Sequence, residues 1–334
     1  MKKTLYILQD GELHRKDNSL YFESNRARKF IPVENTSDIC IFGDVRVSKR
    51  FLDFCTKKQV CIHYFDIKGN YVGTYYPREY YNSGHVIIKQ VQHYLDEGKR
   101  IILAKSVASA FAEQNLKVIR YYTLRTKGKN KERLKNLENK LKELKDLIND
   151  VTLSNLIPLV EEIENIYNQV LIYIISNKEY IDANNEESIA YKRKTNLIRL
   201  GESVGQAIIL SEIYKTHLDP RIGYIYDIDS KKFPLVLDML CIFKAIIVYR
   251  PVLTLINKSI ISKDDFEKYN NDIILSQKGK GKFIKEIDKR MRTTIKHRNL
   301  GRSVSYRRLI RLELYKIQKH IVEEKKYVPY QMLW

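Results

Sequence analysis

Apolar residues follow two different patterns along the chain, and the change falls near residue 85. Before that point, short runs of alternating apolar and polar residues lie at 4–8, 20–23, 38–42, 60–65 and 71–75. Alternation with a period of two is typical of β-strands, and Asp10-Gly11 and Lys68-Gly69-Asn70 are typical turn sequences between them. The pattern therefore predicts a small β-rich domain of hairpins over residues 1–85.

One helix interrupts this β-rich region. Phe51, Leu52 and Cys55 recur at helical spacing within the segment 49–58. Ser48 stands directly before it, and a serine in that place caps a helix because its hydroxyl accepts a bond from a free backbone N–H. We therefore expect two packed β-sheets with one short helix.

From about residue 86 onward, apolar residues recur with the 3.6-residue period of α-helices. The seam on one such helix, which is rich in lysine and glutamate, consists of Leu134, Leu137, Leu141, Leu144 and Ile148. Two heptads are too few to require a coiled coil with another chain, so packing onto its own domain is the simpler interpretation. The sequence predicts the α+β class, with a larger all-α domain over residues 86–334.

Three further helices are predicted towards the C-terminus. The first covers residues 243–257, where Pro251 should kink or interrupt it, since proline lacks the N–H that a helix interior needs. The other two cover residues 284–295 and 306–323, and the last has basic residues around an apolar stripe.

The composition adds a strong positive charge. Lysine and arginine total 60 against 40 acidic residues, which gives a formal net charge of +20. The excess is concentrated at the end of the chain, because residues 276–334 contain 17 basic and 5 acidic residues. Such a concentration of charge predicts a polyanionic partner, most often nucleic acid.

Cysteine usage and hydropathy bound the setting. The four cysteines have no paired metal-ligand spacing, and no basic, apolar and small-residue leader begins the chain, so we expect a reduced, cytoplasmic protein. The most apolar run, residues 170–175 with their flanks, is far shorter than the roughly 20 residues that cross a bilayer. No membrane span is expected.

Two sequence motifs resemble a known family. Residues 218–226 read Leu-Asp-Pro-Arg-Ile-Gly-Tyr-Ile-Tyr, and residues 237–244 read Leu-Asp-Met-Leu-Cys-Ile-Phe-Lys. Both resemble the CRISPR-associated integrase family, metal-dependent DNA endonucleases that insert spacers into CRISPR arrays. Segments 30–35 and 304–311 are similar to the family as well. The resemblance implies a homodimer formed through the β-domain and a small ferredoxin-like second CRISPR adaptation protein as companion.

The resemblance also implies three metal ligands in the helical domain: a glutamate, a histidine and a second acid. At those positions this chain has Val160, Tyr226 and Cys241, while Asp238 is retained. Valine cannot bind a metal, a neutral phenol is a poor ligand for Mg²⁺ or Mn²⁺, and a lone thiol prefers softer ions. We therefore expect no catalytic residue, metal or cofactor, and a protein that binds duplex DNA without cutting or joining it.

An alternative stays open at this point. An active endonuclease or integrase with a rearranged Mg²⁺ or Mn²⁺ site would use Glu161 or Glu162, together with Asp227 and Asp238. If the protein is inactive, it serves as a scaffold for the companion protein or as the partner of an active paralogue, and the sequence does not choose between them.

Basic residues near the second motif and in the C-terminal segment are candidates for phosphate contacts. The predicted DNA-binding residues are Arg221, Lys231, Lys232, Lys244, Arg290, Arg292, Lys296, Arg298, Arg302, Arg307, Arg308 and Arg311.

Overall fold

A computed structural model describes residues 2–16, 19–25, 28–78, 81, 83–180, 186, 188–229, 233–270, 272–297 and 300–332. Its N-terminal part is β-rich and its C-terminal part is mainly helical, which confirms the predicted α+β class. The division into domains 1–85 and 86–334 stays a prediction, and the first long helix begins at Gly84.

Two four-stranded sheets form the N-terminal part. The strands are β1 (Lys3–Ile7), β2 (Gly11–Lys16), β3 (Ser19–Glu23), β4 (Arg28–Ile31), β5 (Thr36–Ile41), β6 (Val45–Val47), β7 (Cys61–Phe65) and β8 (Tyr71–Tyr75). The first sheet has the order β1-β5-β7-β8 and the second the order β4-β3-β2-β6. Because β1, β5 and β7 pair in parallel, the prediction of hairpins is wrong for these three strands. It holds for β7 and β8, which pair antiparallel across the predicted turn at residues 68–70.

The predicted helix α1 (Lys49–Lys58) is confirmed, and it completes the core between the sheets. The Ser48 hydroxyl accepts the backbone N–H of Phe51 at 3.3 Å, as expected for an N-cap. Phe51 is fully buried and packs with Leu13 of the second sheet and Ile39 of the first. Helix and sheets therefore share one apolar cluster, as predicted.

Nine further helices follow in the described part of the chain. They are α2 (Gly84–Leu95), α3 (Glu97–Thr123), α4 (Lys129–Leu147), α5 (Leu153–Ile174), α6 (Ile189–Ile213), α7 (Pro234–Lys244), α8 (Arg250–Asn257), α9 (Gln277–Arg292) and α10 (Tyr306–Glu323). The predicted apolar seam lies on α4, which packs against α3 and α5 of the same chain and buries Leu134 and Leu141.

Two β-hairpins interrupt the helical part, so the expectation of an all-α domain is wrong in detail. One pairs β9 (Phe266–Tyr269) with β10 (Asp272–Leu275), and the other pairs β11 (Thr294–His297) with β12 (Arg302–Ser305). The helix predicted to reach residue 295 ends at Arg292. The β-branched run Thr293-Thr294-Ile295 explains this difference, since such residues favour a strand.

An apolar helical stretch, Pro234–Asn257, is long and apolar enough to cross a bilayer by length and composition. Inside this protein, 89% of its most apolar window is buried, as in the core helix of a folded domain. Helix α7 passes into a π-helical turn, Ala245–Tyr249, which continues directly into α8. Pro251 lies inside this continuous stretch, and the break that it was expected to cause coincides with the π-helical turn directly before it.

A buried ionic cluster joins the β-rich part to the helices. Arg307 of α10 donates to Asp38 of β5 at 2.6 Å and to Glu212 of α6 at 2.8 Å. Glu212 also accepts from Arg311 at 2.6 Å, and Thr4 donates to Asp38 at 3.0 Å. We call Asp38, Glu212, Arg307 and Arg311 the junction cluster, and it fixes α10 against the first sheet.

Candidate functional site

The first motif forms a tight loop against the start of α7. A Cβ added to Gly223 would lie 2.6 Å from the carbonyl carbon of Pro234, so only glycine allows this approach. The carboxylate of Asp238, which is fully buried, accepts the backbone N–H groups of Tyr224 at 2.6 Å and Ile225 at 3.3 Å. Asp238 therefore acts as a structural carboxylate that sets the position of Tyr226.

Burial has an electrostatic cost for Asp238. Desolvation raises the pKa of its carboxyl to about 7, although the backbone N–H bonds act in the opposite direction. Its oxygens are engaged by the loop.

Tyr226 and Cys241 meet at the centre of the candidate site. The Tyr226 hydroxyl lies 3.7 Å from Cys241 Sγ, and Cys241 is only 6% exposed. The neighbouring Cys241 and burial raise the pKa of Tyr226 far above its usual value, and burial raises the pKa of Cys241 to about 12. At neutral pH the site therefore presents a neutral phenol and a neutral thiol.

A buried ammonium lies beside this pair. Lys244, the last residue of α7, places Nζ 2.5 Å from a carboxylate oxygen of Glu164 on α5 and 2.5 Å from one of Glu202 on α6. The Lys244 side chain is 8% exposed, whereas the two glutamates are 34% and 27% exposed. Glu164 also contributes to the raised pKa of both Tyr226 and Cys241, so it faces the same site.

The π-helical turn Ala245–Tyr249 begins directly after Lys244. Its last residue, Tyr249, stacks on Tyr167 of α5 with the ring centroids 4.1 Å apart, and both rings are fully buried. Such wide turns are frequent at functional sites because they change the direction of side chains. Through the stacking of Tyr249 on Tyr167, the turn packs against α5, the helix that carries Glu164.

These side chains do not fit a hard divalent cation. Mg²⁺ and Mn²⁺ prefer carboxylate, carbonyl and water oxygens, and neither a protonated phenol nor a protonated thiol replaces them. The carboxylate of Glu164, which acts electrostatically on both Tyr226 and Cys241, is already paired with Lys244. No catalytic step through a metal can be derived from this arrangement.

Helix α5 also carries an acid close to the expected position, Val160. Val160 is buried one helical turn before Glu164, and Glu164 is the acid that faces Tyr226 and Cys241. A sequence signal for it exists, because Ile163-Glu164-Asn165 resembles the Ile-Glu-Gly run of the family with asparagine in place of glycine. The assignment of the first ligand position to Val160, counted back from Tyr167, stays a prediction, and Tyr167 itself belongs to the core.

The alternative set of ligands is not brought together. Glu161 is exposed, Glu162 pairs with Lys140 of α4 at 2.6 Å, and Asp227 accepts the Tyr94 hydroxyl at 2.7 Å. Asp238 is engaged by the loop, as described above. Within the part of the chain that the structure describes, no three histidine, cysteine, aspartate or glutamate residues could together hold a metal ion.

The structure differs from the prediction for two of the basic residues. Lys244 and Arg307 are buried and paired with carboxylates, so neither can reach a phosphate in this conformation. Charged residues were read as surface groups because the sequence does not show which acids they meet. Lys231, Lys232 and Arg298 lie outside the described residues.

The remaining candidates divide by their partners. Arg221 binds Asp219, Arg292 binds Asp288 and Arg311 binds Glu212. Arg290 packs over the ring of Tyr306 with its guanidinium carbon 4.6 Å from the centroid. Those with no ion pair to another described residue are Lys296, Arg302 and Arg308.

Comparison with known sequences identifies the family. A family model described as "CRISPR associated protein Cas1" matches residues 5–289. One similar relative is a "CRISPR-associated endonuclease Cas1 2" from Thermodesulfovibrio yellowstonii, which is 45% identical over 100% of this chain and 100% of its own length.

Solved structures show the same fold. A Cas1 protein from Thermotoga maritima superposes with a TM-score of 0.82 and 33% identity, covering 98% of this chain and all of its own. A casposase bound to an integration product has a TM-score of 0.81 at 17% identity, covering 98% of this chain and 92% of its own. The chain of a Cas6-RT-Cas1–Cas2 complex has a TM-score of 0.82 at 15% identity, covering 100% of this chain and 36% of its own. The motifs, the fold and the full-length match agree: this chain belongs to the Cas1 family of CRISPR-associated integrases and endonucleases.

Proposed function

We propose that this protein is a non-catalytic member of the Cas1 family that binds duplex DNA during spacer acquisition without cutting or joining it. The observation that carries the proposal is the contact between the Tyr226 hydroxyl and Cys241 Sγ at the two positions where the family has a histidine and an acid. A phenol and a thiol that are both protonated at neutral pH cannot bind and activate a hard divalent cation.

The local packing supports this proposal. Tyr226 and Cys241 contact one another inside the protein, and Cys241 is only 6% exposed. Lys244 matches the basic residue of the family motif, so its presence does not distinguish an active from an inactive member. The loss of function is therefore attributed to Tyr226 and Cys241, while Glu164 remains as the one ligand of the original type.

DNA binding is supported by charge and by family. The formal net charge is +20, and the excess of basic residues is concentrated in residues 276–334. A structural neighbour with this fold is a casposase bound to an integration product. If about 6 to 10 basic groups meet phosphates, affinity should fall by about 10³ to 10⁵ between 50 and 200 mM salt.

The proposed setting is an adaptation complex. A Cas6-RT-Cas1–Cas2 complex contains a chain with this fold, which supports a small second adaptation protein as companion. We propose that the chain forms a homodimer through its β-rich part and acts as a scaffold in such a complex or beside an active paralogue.

The experiment is an activity assay with a restored variant as its comparison. Wild-type protein and the double variant Tyr226→His/Cys241→Asp are incubated with Mn²⁺ or Mg²⁺ and either branched DNA or duplex DNA carrying free 3′-hydroxyls. The wild type should bind both substrates in EDTA. With Mn²⁺ or Mg²⁺ present, it should yield no cleaved or joined product. The double variant regains two ligands of the family type beside Glu164 and should yield products that a chelator abolishes.

Products from the wild-type protein that disappear on adding a chelator would overturn the proposal. In that case Asp238→Ala and Glu164→Gln would show whether the activity depends on this site. A wild-type protein that binds no DNA at low salt would remove the binding half of the proposal.

A further inference from the structure

A cationic groove lies at the C-terminal end of the described chain, apart from the site around Tyr226. Hairpin β11–β12, helix α10 and the segment that follows α10 enclose a cavity of about 540 Å³. Five lysines line it: Lys296 on β11, Lys316 and Lys319 on α10, and Lys325 and Lys326 after α10. We call this cavity the lysine groove.

Two of the five lysines have acidic partners. Lys316 lies 2.7 Å from the buried carboxylate of Glu313, and Lys325 pairs with Glu323 at 2.6 Å. The side chains of Lys296, Lys319 and Lys326 form no ion pair or hydrogen bond with any residue the structure describes, and all three are exposed. Lys319 adds only to the effect of Lys325 in lowering the pKa of Glu323. The groove therefore presents three ammonium groups that are not ion-paired within the described chain.

The wall of the groove formed by the C-terminal segment is anchored to the helical core. The buried Glu313 carboxylate accepts the Tyr327 hydroxyl at 2.7 Å and the backbone N–H of Tyr330 at 2.9 Å. Gln114 of α3 donates to the Tyr330 carbonyl at 2.8 Å, and the Tyr330 ring stacks on Phe243 of α7. These contacts fix the backbone of the segment, so the positions from which Lys325 and Lys326 extend are set before any partner binds.

The chemistry favours a phosphate backbone over a carboxylate-bearing peptide. Lysine ammonium groups are compact point charges on flexible stems, which suit phosphate contacts that do not depend on base sequence. The hairpin continues the positive charge, because Arg302 of β12 pairs across the strands with His297. Three unpaired charges that adjoin the most basic segment of the chain match a continuous polyanion.

We propose that the lysine groove holds the sugar–phosphate backbone of duplex DNA, with Lys296, Lys319 and Lys326 each contacting a phosphate. This inference rests on the proposed DNA-binding function and names the surface that performs it. It also adds Lys319 and Lys326 to the residues that sequence reasoning identified.

The test compares two triple variants with the same change in net charge. The groove variant is Lys296→Gln/Lys319→Gln/Lys326→Gln. The control variant, Lys127→Gln/Lys129→Gln/Lys135→Gln, changes three exposed lysines in and before α4 that have no ion pair with a described residue. Affinity for a duplex of random sequence is measured in EDTA over a series of salt concentrations, after circular dichroism has shown that each variant is folded.

The groove variant should bind at least tenfold more weakly near 100 mM salt, and the slope of log affinity against log salt should become shallower by about 3, or about 0.9 for each lost phosphate contact. The control variant should keep the wild-type slope. A groove variant that cannot be distinguished from the control would overturn the inference while leaving DNA binding intact. Failure of the wild type itself to bind DNA would instead refute the proposed function. Binding of polyglutamate that the groove substitutions weaken, with unchanged DNA affinity, would assign the groove to an acidic protein partner and also overturn the inference.

Discussion

The junction cluster and the site around Lys244 have the same arrangement of charges but differ in exposure to solvent. In each, one buried cation lies between two carboxylates: Arg307 between Asp38 and Glu212, and Lys244 between Glu164 and Glu202. At the junction both acids are completely buried, whereas Glu164 and Glu202 are 34% and 27% exposed.

The charge balance of the two places differs as well. Glu212 is neutralised by Arg307, Arg311 and Lys215, and although burial alone would raise the pKa of its carboxyl, these cations lower it to about 2. Lys244 faces two glutamates alone, so these three side chains keep a net negative charge. The junction is a closed structural element, while the site around Lys244 is partly open to solvent.

The largest expected effect is on the junction. Arg307→Met leaves the buried Asp38 and Glu212 without their shared partner, and breaking a buried ion pair costs about 3–5 kcal/mol. Chemical denaturation should show this loss, and Arg308→Met, which removes the neighbouring arginine without a buried partner, should cost less than about 1 kcal/mol. Equal stability of the two variants would contradict the structural role of the junction cluster.

A smaller effect on stability is expected when Lys244 is replaced. Lys244→Met leaves Glu164 and Glu202 facing one another, and because both are partly solvated the loss should be about 2–3 kcal/mol. Mn²⁺ should recover part of this stability by bridging the two carboxylates, and thermal melting with and without Mn²⁺ measures the recovery. The triple variant Lys244→Met/Glu164→Gln/Glu202→Gln should not respond. A Mn²⁺ effect of the same size in that variant would show that the ion binds elsewhere.

Low pH should lower the stability of the junction through His63, which lies beside it. The His63 ring contacts Thr74 and Ser211 at 2.7 Å each, and burial lowers its pKa to about 4. The unfolded chain takes up this proton near pH 6.5, so the stability contribution of His63 is fully present above that pH and is lost as the pH falls towards 4. We expect a loss of about 3 kcal/mol over this window.

Denaturation as a function of pH checks this expectation, with His63→Gln as the comparison. The variant keeps hydrogen-bonding capacity and does not titrate, so its stability should depend less on pH between 4 and 6.5. Parallel curves for wild type and variant would assign the acid sensitivity to other groups.

The smallest effect is expected at the centre of the candidate site. Tyr226→Phe removes only the hydroxyl that contacts Cys241. Because a hydrogen bond to sulfur contributes little, the free energy of unfolding should change by less than about 1 kcal/mol. A loss as large as that of Arg307→Met would mean that the Tyr226–Cys241 contact is a structural requirement of the fold.

Local sequence patterns predicted part of the fold. Five strands and helix α1 follow from alternation and from the Ser48 cap, but β2, β4 and β6 were missed. Strand β2, Gly-Glu-Leu-His-Arg-Lys, contains one apolar residue, and β6 is only three residues long. The parallel pairing of β1 with β5 depends on contacts between distant segments, which periodicity does not reveal. Both hairpins of the helical part were missed because each of their strands is only four residues long, too short to show a periodicity.

The candidate site was predicted where family spacing applied. Tyr226 and Cys241 were expected together and are in contact. Glu164 was missed because Val160 was placed by counting from Tyr167, a residue whose ring is committed to Tyr249. The junction was missed because 269 positions separate Asp38 from Arg307, and no local pattern connects them.

The central claim is that no hard cation binds beside Tyr226 and Cys241. A crystal of the wild-type protein soaked in Mn²⁺ and measured at the manganese absorption edge tests it most directly. The account predicts no anomalous peak within bonding distance of Glu164, with the Lys244 ammonium still between Glu164 and Glu202. A manganese ion coordinated by Glu164 beside Tyr226 and Cys241 would contradict it.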